Sequence, residues 1–241
     1  MHHRSVVGKI RYTSKKPELM DQTRGMETFR FTHHEDGSTV MRAYCEIEEP
    51  SPTVVRDIVY SLDANRVPKH LQVHLTVGDK FMGAGWLRHD RENHLIETES
   101  FGPEIGRLSQ KLPTNGAFDG FGTHPVVGDG FLTRCMDLSK GPHRRNVRVF
   151  LPSPDHRGAT PPMATEVNIG LEYVGEEEKT VEAGTFDCRH YRFVDDKGAG
   201  MGGVRHPDYD MWVTNDDDSI LVFGSIDGSM MCRYELVEFD R

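Results

Sequence analysis

Long apolar runs are missing from this chain. No stretch approaches the roughly 20 residues that a membrane-spanning helix needs, and the mean hydropathy is −0.57. A helical membrane protein is excluded, and no membrane partner is expected. Cysteine is scarce as well: Cys45, Cys135, Cys188 and Cys232 stand far apart. That spacing excludes a CxxC redox or zinc motif and gives no sign of a disulfide framework. The opening residues Met1-His2-His3-Arg4-Ser5 lack the apolar core of a signal peptide, so a cytoplasmic chain with reduced thiols is the expectation. Basic residues are outnumbered, 29 Lys and Arg against 38 Asp and Glu, for a net charge of −9. Binding to a phosphate backbone is therefore not expected as the main activity, and nucleic acid drops out as a partner.

Chemical signatures are also absent. There are 13 histidines, but no HExxH, no HxH and no histidine–cysteine cluster at ligand spacing, so no metal is predicted. No Walker loop or GxSxG elbow occurs. The glycine-rich run Gly198-Ala199-Gly200-Met201-Gly202-Gly203 has no following helix to hold a pyrophosphate and reads as a loop. No cofactor is predicted. His33-His34-Glu35-Asp36 reads as a solvated hairpin tip. Helical periodicity is confined to Gly130–Leu138, with Pro103–Gln110 open between helix and strand.

What fills the chain is two-residue alternation. Thr39, Met41, Ala43, Cys45 and Ile47 share one face of a segment whose other face carries Val40, Arg42, Tyr44 and Glu46. That is the signature of a half-buried strand. Phe29 and Phe31 mark another strand just before it, and Glu35-Asp36-Gly37-Ser38 joins the two, Asp-Gly being a hairpin signal. The pattern recurs over Leu71–Val77, Lys80–His89, His94–Ser100, Asn146–Leu151, Glu166–Val174, Lys179–Ala183, Phe186–Val194, Tyr209–Thr214, Ser219–Ser225 and Met230–Val237. Turn-rich breaks separate these segments. So many short strands predict an all-β protein: an antiparallel lipocalin-like barrel or a two-sheet sandwich, with one or two short helices. The whole of 1–241 reads as one domain. Two half-sheets, 1–138 and 163–241, joined by the proline-rich segment 139–162, are the alternative division.

Within residues 165–240 the sequence Val181-Glu182-Ala183-Gly184-Thr185-Phe186-Asp187-Cys188 resembles the V-x-A-G-x-F-x-A/C turn of the DUF3108-like and DUF6134-like families. His206-Pro207-Asp208-Tyr209-Asp210-Met211-Trp212-Val213-Thr214 resembles their H-P-x-Y-x-x-W-V-T element. The resemblance implies a lipocalin-type barrel with a wide, partly open interior. It implies no catalytic residue, because a fold does not carry a reaction.

Candidate chemistry comes from three places. Phe118–Gly130 combines glycines, two aromatics, Asp119, His124 and Asp129. Histidine titrates near neutral pH, so His124 can move a proton, and Asp129 can orient it or cap the helix that follows. Tyr209 shares its strand face with Met211 and Val213 and offers a phenol beside apolar surface. Arg56 can hold an anion. His124, Tyr209 and Arg56 are the predicted catalytic residues; Asp129, Tyr60, Trp86 and Phe121 are the predicted substrate contacts. His70 and His74, on one strand face, are expected toward solvent. The predicted partner is a small hydrophobic or aromatic molecule, with the oligomeric state open. Such a lumen suits a cofactor-independent lyase acting on an aromatic, lignin-derived type of compound, releasing a small fragment such as formaldehyde or water. A carrier of a lipophilic small molecule is the alternative, and an interaction domain using a sheet edge is the third reading.

Overall fold

The computed structural model describes residues 3–196, 205–228 and 230–241. The predicted loop at Gly198–Gly203 lies outside these residues. Among the described residues the strands are β1 (His3–Ser14), β2 (Thr23–His34), β3 (Thr39–Ile47), β4 (Val54–Leu62), β5 (Pro68–Val77), β6 (Lys80–Asp90), β7 (Leu95–Gly102), β8 (Gly106–Pro113), β9 (Gly120–Phe121), β10 (His143–Leu151), β11 (Thr165–Val181), β12 (Gly184–Val194), β13 (Tyr209–Thr214), β14 (Leu221–Ile226) and β15 (Cys232–Asp240). They form one sheet in the order β8-β7-β6-β5-β4-β3-β2-β1-β15-β14-β13-β12-β11-β10-β9. Every pairing is antiparallel except that of β9 with β10. The protein is all-β and barrel-like, as the alternation predicts.

The topology explains the curvature. The chain runs outward from β1 to the edge strand β8, crosses over, and returns from β9 and β10 to β15, which pairs with β1. The two sheet edges are therefore near neighbours in sequence. Side chains tie them together where no backbone ladder closes the ring. Gln110 on β8 donates to the Ala164 carbonyl at 3.3 Å and accepts from the Ala164 N–H at 2.9 Å. Arg148 on β10 donates to the carbonyl of Pro113 at 2.9 Å and forks onto Glu166 at 2.8 and 2.7 Å. On the β9–β10 side itself, Asp119 accepts from the Arg148 N–H at 2.8 Å and from Arg145 at 2.6 Å. An edge whose N–H and C=O groups are covered in this way is withheld from unwanted pairing.

Several local expectations change. Glu166–Val174 and Lys179–Val181 belong to one long strand, β11, whose register shifts between Tyr173 and Gly175, and Glu182-Ala183 forms the turn that follows. The charged run Glu176-Glu177-Glu178 that separated them in the sequence continues the strand on its exposed side. The ambiguous Pro103–Gln110 segment forms a turn and the first part of β8. The helix expected over Gly130–Leu138 is a single turn, α1 (Asp129–Leu132), extended by a 3-10 turn at Thr133–Cys135. His33 is not a solvated hairpin tip: its Nδ1 meets Thr39 Oγ1 at 3.0 Å and its Nε2 lies 3.2 Å from Asp218. Asp218 is itself held by the Arg4 fork at 2.6 and 2.8 Å, so the loop after β13 is tied to β1 and β2.

Inward-facing residues of every long strand make one core, including Ile10, Phe31, Met41, Ile58, Tyr60, Leu71, Leu87, Val147, Leu171, Tyr191, Met211 and Leu236. The segment from Gly122 to Met136 enters this core instead of running over the surface. Phe131 of α1 lies 5.1 Å from Phe31 and 5.5 Å from Tyr60, ring centre to ring centre. The segment can go there because its glycines leave room. A Cβ on Gly130 would collide with the carbonyl oxygen of Ser219, and a Cβ on Gly128 would strike the Thr123 side chain. Helix propensity alone favours alanine over glycine by about 1 kcal/mol, whereas overpacking a rigid core costs about 1–3 kcal/mol. Gly130→Ala is therefore expected to destabilise the protein. Urea unfolding checks the sign, and a higher midpoint than wild type would show that this contact is not tight.

Candidate active site

The inserted segment divides the barrel interior. On its β1–β5 side the space is filled by Phe31, Tyr60, Phe121 and Phe131. On its other side, against β10–β15, a cavity of about 130 Å³ remains. Its apolar walls include Val126, Leu132, Val149, Leu151, Val167, Ile169, Phe193 and Ile226; its polar groups are Thr123, His124, Asp129, His156, His206, Tyr209 and Tyr234.

His124 is placed by strained backbone. It has φ of 68°, in the left-handed region, which non-glycine residues seldom occupy and which marks many functional sites. Thr123 holds the turn by donating its hydroxyl to the Pro125 carbonyl at 2.6 Å. Burial, followed by the charge of Arg56, holds the imidazole well below its usual pKa, so His124 is neutral at neutral pH. Its Nε2 is buried and has no hydrogen-bond partner.

Asp129 begins α1, but its side chain does not cap that helix. The cap position is Gly128, and no side chain bonds there. The carboxyl faces the cavity instead. Burial, then the neighbouring Glu27, raise its pKa well above the carboxylate range, which favours the protonated acid. Tyr209, from β13, is 3% exposed, and its hydroxyl has no partner. Burial and then Asp129 raise its pKa, keeping the phenol protonated. Tyr234 stands at 5.8 Å from Tyr209, ring centre to ring centre.

The other predicted residues divide. Arg56 is 1% exposed and adjoins His124 across Gly158: a Cβ on Gly158 would lie 2.7 Å from His124 Cδ2 and 2.9 Å from Arg56 Cζ. Tyr60 and Phe121 sit in the filled part of the interior, where the Tyr60 hydroxyl accepts the Phe121 N–H at 3.1 Å. Trp86 is not at the cavity. It lines an open groove on the outer sheet face with Gln72, His74, Glu99 and Phe101. The reason is register: Leu87 points inward, so its neighbour Trp86 points out. His70 is half-buried and His74 exposed on that outer face.

Sequence reasoning missed Glu27, His156 and Tyr234, and it read His206 only as the start of the His206–Thr214 element. Glu27 is fully buried on β2 and accepts from the Tyr12 hydroxyl at 2.5 Å, the Val126 N–H at 2.8 Å and the Val127 N–H at 2.9 Å. It thus anchors the His124–Asp129 turn across the barrel. A glutamate at an inward position of an alternating strand was the available signal, since Phe29 and Phe31 share its face. His156 comes from an irregular segment with no pattern to mark it, and its ring centre lies 5.4 Å from that of His206. Among the described residues, no group of three or more His, Cys, Asp or Glu side chains is arranged to hold a metal ion.

No family model and no curated protein matches the sequence. A solved β-barrel-like protein of a domain of unknown function, DUF1849, from Brucella abortus is similar in fold. Its TM-score is 0.61 at 14% identity, with 99% of this chain and 96% of that chain covered. A protein from Parabacteroides distasonis, provisionally described as a lipoprotein, aligns with a TM-score of 0.36 at 10% identity over 98% of this chain and 95% of that chain. The chain thus has the architecture of a β-barrel-like domain, and the likeness shows the fold alone.

Burial raises the Glu27 pKa to about 7, outweighing the hydrogen bonds from Tyr12, Val127 and Val126 and the charge of Arg56, all of which lower it. The unfolded carboxyl titrates near 4.3. Between those values the folded protein holds more protons, so this group makes stability fall as pH rises from about 4.3 through about 7. Glu27→Gln is expected to remove that fall, on the order of 3 kcal/mol. Urea unfolding of both proteins between pH 5 and 8 checks it. Parallel pH dependence in the two would show that Glu27 does not titrate in this range.

Proposed function

We propose that the cavity is the active site of a cofactor-independent lyase acting on a small aromatic compound. The observation that carries this reading is the meeting of unpartnered His124 Nε2, unpartnered Tyr209 hydroxyl and the Asp129 carboxyl on one apolar-walled cavity. Environments that push two titratable groups apart define an acid and a base. Here the imidazole is kept neutral and ready to accept a proton, and the carboxyl is kept protonated and ready to donate one. The cavity volume matches a single ring, since a cavity of about 150 Å³ holds benzene.

In an elimination or retro-aldol cleavage, His124 takes the proton whose loss starts bond breaking. Asp129, with Tyr209 beside it, returns a proton to the atom that receives the electron pair. Arg56 favours negative charge that develops on oxygen. Water or formaldehyde is a small enough fragment to leave such a space. A single ring fills about this volume, so single-ring phenols are the first members of the lignin-derived class to test. We place the reaction in the cytoplasm, where four free thiols persist, and place the chain near the DUF3108-like and DUF6134-like barrels on its Val181–Cys188 and His206–Thr214 elements.

The apolar walls favour a second reading, a carrier of a lipophilic molecule. Turnover separates the two. Single-ring phenols bearing a hydroxymethyl side chain, followed by proton NMR, are expected to release formaldehyde or water. His124→Gln is expected to lower the rate at least tenfold, within the range of about 10²–10⁴ typical of a lost general base, with binding nearly unchanged. The wild-type rate is expected to fall in acid as His124 becomes protonated, with the inflection below the usual histidine value. Binding without turnover across the series would favour the carrier.

A further inference from the structure

The aromatic side chains that face solvent are gathered on one part of the surface. Among the described residues the exposed large aromatics are Tyr44, Phe81 and Phe101, and all three stand on the outer face of β3–β7, away from the cavity. Exposed apolar groups that cluster in this way mark interaction sites, whereas single ones do not. Register sets Arg107, Phe101, Ala84, His74, Asp57 and Tyr44 in one row across the sheet from β8 to β3. Paired strands lie about 4.8 Å apart, so Phe101 and Tyr44, four strands from each other, are separated by roughly 19 Å along the row. Ala84 is the small member. The dip over it is walled by Phe101, by His74, which stacks on Phe81 at 5.2 Å, and by Trp86, two residues along β6 on the same face. This hollow of about 730 Å³ shares Asp57 and Val59 with a second of about 710 Å³ that continues past Tyr44 to β15. Together they form one trough that runs across the strands.

Three features define what fits the trough. Each strand from β1 to β7, and β15, already pairs on both sides, so no backbone edge is offered to an added peptide strand. The lining holds four Lys or Arg and four Asp or Glu residues, with Arg107 donating to Glu99 at 3.0 Å. That balance selects no polyanion. The polar groups beside the rings are unspent: Gln72, directly opposite Trp86, and Asp57, directly opposite His74, are exposed and make no hydrogen bond among the described residues. We propose that the trough binds an uncharged, extended oligosaccharide, at a site separate from the cavity. One face of a pyranose ring is a patch of C–H groups that packs on an aromatic ring, and the hydroxyls at its rim bond to amides and carboxylates. The strand spacing is close to the length of one sugar in an extended β-linked chain, so successive sugars meet successive strands. Phe101 and Trp86 take neighbouring sugars, and Tyr44 takes one further along.

The probes are hexamers and dimers of β-linked glucose, mannose, xylose and N-acetylglucosamine, each titrated calorimetrically into the full chain. At least one hexamer is expected to bind, and to bind at least tenfold more tightly than its own dimer, because a dimer cannot reach from Phe101 to Tyr44. Phe101→Ala and Trp86→Ala are each expected to weaken that hexamer at least tenfold. Trp86 is half-buried and its variant can lose stability. Phe101 is 59% exposed, so Phe101→Ala keeps the test decisive, with an unchanged urea midpoint as the check on folding. Absence of binding by all four hexamers, equal affinity of hexamer and dimer, or undiminished affinity in Phe101→Ala would overturn the proposal. Tighter binding of the hexamer of galacturonic acid than of any uncharged hexamer would overturn it in favour of a polyanion. Dimerisation in sedimentation that Phe101→Ala abolishes would overturn it in favour of a second copy of the chain.

Discussion

The site depends on one carboxyl group. Glu27, on β2, reaches across the barrel to receive the backbone N–H groups of Val126 and Val127 together with the Tyr12 hydroxyl. Those two amides belong to a turn buried away from water. An orphaned buried donor costs about 1–3 kcal/mol, so without an acceptor the turn would not sit inside the sheet. With it, the segment can enter the interior, fill one side with Phe131 and present His124 and Asp129 to the other. The glycines at 128 and 130 remove the side chains that would otherwise strike Thr123 and Ser219. Fold and chemistry meet at that turn.

The curled sheet supplies what the turn needs. Strands from both directions along the chain contribute inward faces, and the two edges are tied by Gln110 and Arg148 rather than by a ladder. The interior is dry enough to move several pKa values in opposite directions. His124 is driven toward the neutral base, whereas Asp129 and Glu27 are driven toward the neutral acid, burial being the largest cause in each case. Arg56, which cannot shed its proton, keeps a charge next to His124. Neutral acid, neutral base and one fixed cation make a more specific environment than the apolar walls would alone.

The alternation of the strands was legible in the sequence because a half-buried strand must alternate to keep polar groups in water. It determined the fold class, most of the strands and the sharing of one strand face by Tyr209, Met211 and Val213. The unusual chemistry of Phe118–Gly130 was legible for the same kind of reason: glycines and a histidine before proline constrain backbone locally. Trp86 shows the limit. Its neighbours gave no firm register across Gly83, Ala84 and Gly85, and the register decides which face a side chain takes. Its ring lies outside.

What only the tertiary structure decided is which distant residues share the cavity. Glu27 and Val126 are about a hundred positions apart, and no local pattern links them. His156 and His206 lie in irregular segments whose paths follow from packing, not from periodicity. The pKa shifts are likewise products of burial: the same Asp129 would be an ordinary ionised carboxylate on a surface, and it becomes an acid because the fold removes its water. The sequence by itself determined the strands and the reactive residue types. Long-range packing determined which of those residues meet, because solvent exclusion and proximity are properties of the folded chain as a whole.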